Sequence, residues 1–211
     1  ASFYKDWAAI GGGLGNYMAY GDFPMTASES SDQPGNLFLP RGIILNKDLS
    51  TVHPVDQKQI AESVTRSWYE YSDNGGPKHP WDGETKPNYT GPQPPYEWLE
   101  TEQKYSWVKS PRYQDTAMEV GPLARMLVAY ASGHERVQHW VNAALTNLDV
   151  GPEILFSTLG RIAARGLETV VIAEKVTDWV AERTANIGRG DLRVANTEHW
   201  DPATWPEEAM G

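Results

Sequence analysis

Residues 152–187, PEILFSTLGRIAARGLETVVIAEKVTDWVAERTANI, decide the fold. Apolar and small side chains recur along this stretch every three or four residues, at Leu155, Leu159, Ile162, Gly166, Val170, Ala173, Val176 and Val180. The spacing predicts one long helix with a single apolar stripe. At 1.5 Å per residue, thirty residues span about 45 Å, which is longer than a small domain is wide. We therefore expect this helix inside a bundle larger than the chain, with its stripe covered by neighbours outside the chain.

The residues before this helix predict two shorter ones. Pro122 and Pro152 each follow a glycine and suit the first position of a helix, where the missing N–H costs nothing. We expect one helix from Pro122 to Ser132-Gly133 and a second over about 134–145. Residues 111–211 thus form a helical region, with the long helix over about 152–187.

Residues 1–110 are interrupted by glycine and proline and predict an irregular region. Two apolar runs flank a Pro-Arg-Gly turn within 36–46 and predict a β-hairpin. The period of residues 56–71 predicts one amphipathic helix, begun by a capping box at Asp56 and Gln59. Residues 72–97 predict a long loop that carries four aromatic side chains, Trp81, Tyr89, Tyr96 and Trp98.

The fold class expected from these patterns is mainly α, with a small hairpin and long irregular loops. The two regions together form one segment of a larger domain. The chain starts without methionine or a secretory signal and ends at Gly211 without a closing helix. We therefore expect a piece of a longer polypeptide.

Composition excludes several classes of protein. The 211 residues carry a formal net charge of −10, which argues against a nucleic-acid partner because phosphate neutralisation needs clustered cations. No apolar run reaches the roughly 18 residues of a membrane span. Cysteine is absent, which excludes disulfides, thiolate metal ligands and cysteine nucleophiles within these residues.

Few local motifs suggest chemistry. The glycines at 11, 12, 13 and 15 lack the spacing of a phosphate-binding loop. His134 and His139 are five residues apart, which places their rings about 140° apart on a helix and excludes a shared metal, so we expect solvated surface histidines. The carboxylates show no pair that singles out a hydrolytic site.

Glu119 stands just before the Pro122 helix, near its unpaired N–H groups, and should stay ionised. Asp149 repeats the arrangement before Pro152, so helix capping is the simplest interpretation of both. Arg161 and Arg165 flank the apolar stripe, and inside a large bundle they would need carboxylate partners.

Several ordered motifs resemble the large subunit of nickel-iron hydrogenases, and the resemblance covers essentially the whole chain. They are LPRG at 39–42, HPWDG at 79–83, YSWVKSPRY at 105–113, MEVGPLAR at 118–125, STLGR at 157–161 and EHWDPATWP at 198–206. The first two resemble the membrane-bound uptake branch of that family.

The resemblance implies that the complete protein oxidises dihydrogen reversibly to protons and electrons. It implies a nickel-iron centre with carbonyl and cyanide ligands on iron, held by two Cys-x-x-Cys motifs, and a magnesium ion. It also implies a small subunit with iron-sulfur clusters, a possible membrane cytochrome b, and a location on the periplasmic side of the cytoplasmic membrane.

Without cysteine, this segment has no catalytic residue and no metal ligand of its own. We expect it to be the central part of the large subunit, a scaffold that packs around the ligand-bearing ends. The resemblance makes Glu119 a candidate for contact with the waters of the magnesium ion. Arg125 is a candidate to pair with an acid outside the segment. A cap and a structural ion pair remain the alternatives for these two residues.

Two other functions stay open at this point. One is a free-standing module whose tryptophans and tyrosines stack on a carbohydrate, and the other is an acid/base hydrolase with unassigned carboxylates. Cys-x-x-Cys motifs on both sides of these residues would favour the hydrogenase interpretation over these two functions.

Overall fold

The structure is a computed structural model that describes residues 2–25, 34–73, 75–95, 100–195, 197 and 200–207. Its helices are α1 (Ser2–Trp7), α2 (Pro122–Ala131), α3 (Glu135–Leu148) and α4 (Thr158–Gly188). Its strands are β1 (Tyr17–Ala19), β2 (Asp22–Pro24), β3 (Leu37–Leu39), β4 (Gly42–Ile44), β5 (Ile60–Ser63), β6 (Tyr69–Tyr71), β7 (Thr85–Pro87) and β8 (Ser110–Tyr113). Helices thus dominate only the second half, and small sheets shape the first.

The three helices predicted in the second half are confirmed. The long one begins later than expected because Pro152–Leu155 form a separate 3₁₀ turn. Ser157 then accepts a hydrogen bond from the Gly160 N–H at 3.0 Å, which satisfies one of the unpaired donors at the start of α4.

The predicted hairpin within 36–46 is wrong in its pairing. Both apolar runs are strands, but β4 pairs with β1 and β3 pairs with β2, all antiparallel. One register continues from Tyr17↔Ile44 to Pro24↔Leu37, so the two pairs form a single interrupted ribbon. The Pro40-Arg41 step lies along one side of this ribbon and is not its turn.

The predicted helix over 56–71 is also wrong. Asp56 accepts a hydrogen bond from the Lys58 N–H at 3.1 Å, so the capping signal is real, but it starts only a 3₁₀ turn at Gln57–Gln59. The chain then enters β5, which pairs with β8, and later β6, which pairs with β7. Strand pairing with distant segments overrides the local helical period.

Where the structure describes it, at 72–73 and 75–95, the loop predicted over 72–97 is irregular except for β7. Trp81 and Tyr89 are exposed, while Tyr96 and Trp98 lie outside the described residues. Of the motifs quoted above, Glu198 and His199 also lie outside them.

The core of residues 1–168 lies where α2 packs on the ribbon. α2 contacts β1, β4 and α3. The side chains buried there come from all four elements: Tyr17, Ala19, Ile43, Ile44, Leu123, Leu127, Val128, Val137 and Val141.

α4 buries a different face from the one that its apolar stripe marks. Gly160 and Ala164 are buried, whereas Ile162 is 64% exposed and Val180 is 60% exposed. Successive residues turn by about 100°, so Ile162 lies roughly opposite Gly160 and Ala164. Among the described residues, the stripe is therefore exposed from Ile162 to Val180, whereas Leu155 at its start is buried.

The chain divides into two compact units, residues 1–168 and residues 169–211. In the second unit, Arg183 donates to the carbonyl oxygens of Asp191 and Arg193, at 3.2 and 2.9 Å, and holds the chain after α4 against its last turns. Among the described residues, no helix has the length and apolar character that crossing a membrane requires.

Candidate functional site

Glu119 is fixed by the strand ribbon and not by the helix that follows it. Its N–H donates to Asn16 at 2.8 Å, and its carbonyl oxygen accepts from the Met18 N–H at 2.9 Å. The N-cap of α2 is Gly121, which has no side chain, so the capping interpretation of Glu119 is wrong. Asp149 likewise caps no helix start: it ends α3 in the left-handed region and pairs with Lys5 at 3.0 Å.

The carboxylate of Glu119 pairs with Arg161 near the start of α4. Nε and Nη2 of Arg161 donate to Oε1 and Oε2 of Glu119, both at 2.6 Å. The planar guanidinium matches the carboxylate in this two-point geometry, which is among the strongest hydrogen-bonded pairs in proteins. Hydrogen bonding to Glu119 is the main reason that the pKa of Arg161 is raised. The expectation that Arg161 needs a carboxylate partner is confirmed.

The glycine segment at 11–15 closes over this pair. Arg161 Nη1 donates to the carbonyl oxygen of Gly11, while a Cβ on Gly13 would overlap Arg161 Nη2 and lie 2.9 Å from Glu119 Oε2. The φ of Gly13 is +65°, a region that other residues rarely adopt. The glycines of this segment therefore allow the backbone to approach the ion pair closely, a role that the sequence did not reveal.

Tyr17 lies beneath the pair and is fully buried. Its ring packs on Phe156 with centroids 5.6 Å apart, and its hydroxyl has no hydrogen-bond partner among the described residues. Burial raises the pKa of the Tyr17 hydroxyl, the negative charge of Glu119 raises it further, and Arg161 opposes both. Tyr17 therefore stays neutral beside the charged pair.

Arg125 forms a second pair of the same kind. Its Nε and Nη2 donate to the two carboxylate oxygens of Glu168, the latter at 3.0 Å, and Glu168 is 7% exposed. Hydrogen bonding to Glu168 raises the pKa of Arg125. Arg125 thus pairs with an acid of the same chain, two turns beyond Arg161 on α4, which is the structural ion pair given above as the alternative.

The two pairs run in opposite senses, and we call them together the double clamp. Glu119 and Arg125 lie on one segment, and Arg161 and Glu168 face them from α4. A slip of α4 that brought Arg161 to Arg125 would place like charges together. The double clamp therefore specifies the register of α4 against the start of α2.

The histidines that the structure describes form no metal site. His134 accepts a hydrogen bond from the Val137 N–H at 3.3 Å and caps α3, so it is a structural residue and not the solvated one expected. His139 is exposed, as expected. Among the described residues, no group of three or more His, Cys, Asp or Glu side chains is placed to hold a metal ion.

Comparison with known proteins identifies the family. The family model for nickel-dependent hydrogenases matches residues 1–211, the full length of the chain. This chain belongs to the nickel-dependent hydrogenase family.

Its relatives include the uptake hydrogenase large subunit of Bradyrhizobium diazoefficiens, at 45% identity over 100% of this chain and 37% of that protein. The hydrogenase-1 large chain of Escherichia coli K12 is 37% identical over 99% of this chain and 36% of that protein. The chain thus spans little more than a third of the length of these relatives.

Solved structures show the same fold. The reduced, active Ni-Fe-Se hydrogenase of Desulfomicrobium baculatum aligns with 86% of this chain and 34% of its own, with a TM-score of 0.62 and 29% identity. The reduced Ni-Fe-Se hydrogenase of Desulfovibrio vulgaris Hildenborough gives a TM-score of 0.63 and 27% identity. The chain is part of a hydrogenase large subunit, and nothing supports the carbohydrate-binding alternative.

The residues present do not fit a nickel-iron centre. Thiolates are the ligands that the family resemblance requires, and these 211 residues contain no cysteine. The interactions that the side chains of this chain form are packing, charge pairing and hydrogen bonding.

Proposed function

We propose that this chain is the central scaffold of a nickel-iron hydrogenase large subunit that oxidises dihydrogen reversibly to protons and electrons. The observation that carries the proposal is the family match over every residue. The nickel-iron centre, with carbonyl and cyanide on iron, is bound by cysteines of the same subunit outside this chain. When bound, that centre supplies the splitting of dihydrogen.

The scaffold acts by fixing register. The double clamp ties α4 to the segment that begins α2, and the Arg161 bond to Gly11 ties the N-terminal glycine segment to the same point. Metal ligands at both ends of a subunit need supports that hold them within a fraction of an ångström. Pairs with two hydrogen bonds each provide such support because they limit both distance and rotation.

A helical bundle completes the proposed architecture. The stripe on α4 exposes Ile162, Val170, Val176 and Val180, and apolar faces of this length are normally covered. We assign its cover to the rest of the same subunit, which supplies nearly two thirds of the length of the relatives. The complete subunit is then mainly α.

The proposed partners follow from the family. They are a small subunit with iron-sulfur clusters that carries the electrons and, through it, a membrane cytochrome b. The proposed location is the periplasmic side of the cytoplasmic membrane. The relatives named as uptake hydrogenases support this assignment.

Glu119 is the proposed contact to the waters of a magnesium ion in the complete subunit. Each of its carboxylate oxygens accepts one bond from Arg161 and retains a second lone pair, and its side chain is 18% exposed. We expect Glu119→Gln to lower the magnesium content of the complete subunit. Glu168→Gln, which breaks the matched pair with Arg125, should leave magnesium unchanged. Equal magnesium in both variants would assign Glu119 a structural role alone.

The direct test of the proposed function uses the complete subunit with its small subunit. We expect hydrogen-dependent reduction of a dye and, in the large subunit once it is separated from the small subunit, nickel and iron in equal amounts. Mutation of the cysteines outside this chain should remove both metals from the large subunit, while Glu102→Gln, which removes only an exposed ion pair with Arg66, should retain them. A properly matured subunit without nickel, or without hydrogen-dependent reduction, would refute the proposal.

A further inference from the structure

The turn between β5 and β6 points three backbone carbonyl oxygens at one ammonium group. Nζ of Lys104 donates to the carbonyl oxygen of Val64 at 3.1 Å, of Ser67 at 2.8 Å and of Tyr69. A lysine ammonium has three N–H donors, and here each has its own acceptor. We call these three carbonyl oxygens the carbonyl cage.

The cage holds its cation without a counter-charge. Within the described part of the chain, no carboxylate forms an ion pair with Lys104, whereas Lys109 pairs with Glu62 at 3.0 Å. Neutral carbonyl oxygens without carboxylates are ligands that monovalent cations accept, whereas divalent ions are usually bound with carboxylates as well. The arrangement is therefore that of a monovalent-cation site.

Other bonds hold the cage in shape from the segment that carries Lys104. The Trp68 indole donates to the carbonyl oxygen of Lys104 at 3.1 Å, and the Trp68 N–H donates to Ser106 at 2.8 Å. The Trp68 ring then packs edge-on against Tyr89 and Trp107, with centroids 4.8 and 5.2 Å apart. The bonds of the Trp68 backbone and indole also position these oxygens, so the cage keeps restraints that do not involve the Lys104 ammonium.

We propose that residues 64–69 form a monovalent-cation site and that Lys104 occupies it with a covalently attached ammonium group. The ligand class is a potassium-sized or ammonium ion or a short primary alkylammonium. Because the lysine is part of the chain, the occupancy of the site in this protein does not depend on which cations are in solution. A variant without the lysine should bind the free ion instead. This inference does not depend on the proposed hydrogenase activity.

The test is hydrogen exchange by mass spectrometry on Lys104→Ala in the complete subunit with its partner. Exchange of the amides of residues 64–71 is compared at equal ionic strength in potassium, ammonium, methylammonium and choline chloride. In choline chloride, we expect the variant to exchange about tenfold faster than the unmodified protein, since three charged hydrogen bonds are lost. Potassium, ammonium or methylammonium should reverse most of that increase, while the unmodified protein should show the same exchange in all four salts.

Two controls separate ion binding from general loosening. Lys109→Ala removes the ion pair with Glu62 and should show no preference among the salts. Lys104→Met fills the space of the lysine stem and should loosen the turn without rescue by any cation. Identical exchange of Lys104→Ala in choline and potassium chloride would overturn the proposal. So would failure of that variant to fold in potassium-rich cells, where the free ion should replace the lysine.

Discussion

Arg161 joins two segments that are far apart in the sequence. It donates to both carboxylate oxygens of Glu119 and to the carbonyl oxygen of Gly11. Gly13 lies against the same pair. A Cβ at this position would overlap the Arg161 guanidinium, so the ion pair requires glycine there. At the scale of single residues, the site is therefore an ion pair that the backbone of the glycine segment contacts closely.

We expect Gly13→Ala to lower stability more than a matched glycine change. Gly13 and Gly76 both have positive φ, so alanine costs each about 1–2 kcal/mol of backbone strain. A Cβ at Gly76 meets no described atom within 4 Å, whereas at Gly13 it displaces Arg161 or Glu119, which adds about 1–3 kcal/mol. The midpoints of thermal unfolding of the two variants in the complete subunit measure the difference. Equal midpoints would mean that the glycine segment does not close over the pair.

Tyr17→Phe should leave stability unchanged or raise it by up to about 1 kcal/mol. The change removes a buried hydroxyl that has no partner among the described residues. Tyr71→Phe is the matched control, because its hydroxyl accepts from the Val64 N–H and donates to the carbonyl oxygen of Glu62, both at 3.2 Å. That control should lose about 1–2 kcal/mol. Chemical denaturation of both variants tests the contrast, and a comparable loss for Tyr17→Phe would reveal a partner for its hydroxyl.

The sequence shows single residues of this site but not their pairing. Glu119 beside a helix start and Arg161 beside an apolar stripe both indicate charges that need partners. Nothing in the sequence relates two positions 42 residues apart. Lys104 gives no signal at all, because a lysine in a loop ordinarily points into solvent.

At the scale of elements, α3 begins with a cap that depends on pH. Nδ1 of His134 accepts a hydrogen bond from the Val137 N–H, which requires the unprotonated ring. The ring lies edge-on to Phe38 with centroids 4.9 Å apart. Burial is the main reason that the pKa of His134 is lowered from 6.5. The folded protein therefore binds the proton less readily than the unfolded chain does.

This shift predicts that stability falls in mild acid. The contribution of His134 is complete above the unfolded pKa of about 6.5 and is lost as pH falls through the lower folded pKa. His134→Asn keeps a capping acceptor that does not titrate in this range. The unfolding free energy of the unmodified protein should therefore fall more steeply between about pH 6.5 and 5 than that of the variant. Parallel curves would show that His134 does not titrate with folding.

Elements are predictable from the sequence where local and distant forces agree. α2 begins at its predicted proline, and α2, α3 and α4 all lie where the apolar periods of the sequence place helices. Residues 56–71 fail because β5 finds its partner in β8, about fifty residues away. Asp56 still accepts its capping hydrogen bond, but the element that it caps is only a single 3₁₀ turn.

At the scale of the whole molecule, the described part of the chain leaves an apolar face of α4 exposed. Ile162, Val176 and Val180 are exposed on α4, while Val171 on the same helix is fully buried. The relatives are nearly three times as long as this chain. The exposed face of α4 and the greater length of the relatives have a single explanation if other parts of the subunit pack on this face. The sequence predicted the stripe but not the second buried face, because small residues such as Gly160 and Ala164 carry little apolar signal.

Hydroxyl-radical footprinting of the complete subunit tests this account most directly. Mass spectrometry would compare the oxidation of Ile162, Val176 and Val180 with that of Val171, the protected reference on the same helix. We predict that all four side chains are equally protected in the complete subunit. Oxidation of the three stripe residues at the rate of freely exposed side chains, with Val171 still protected, would contradict the claim that this chain is a scaffold covered by its own subunit.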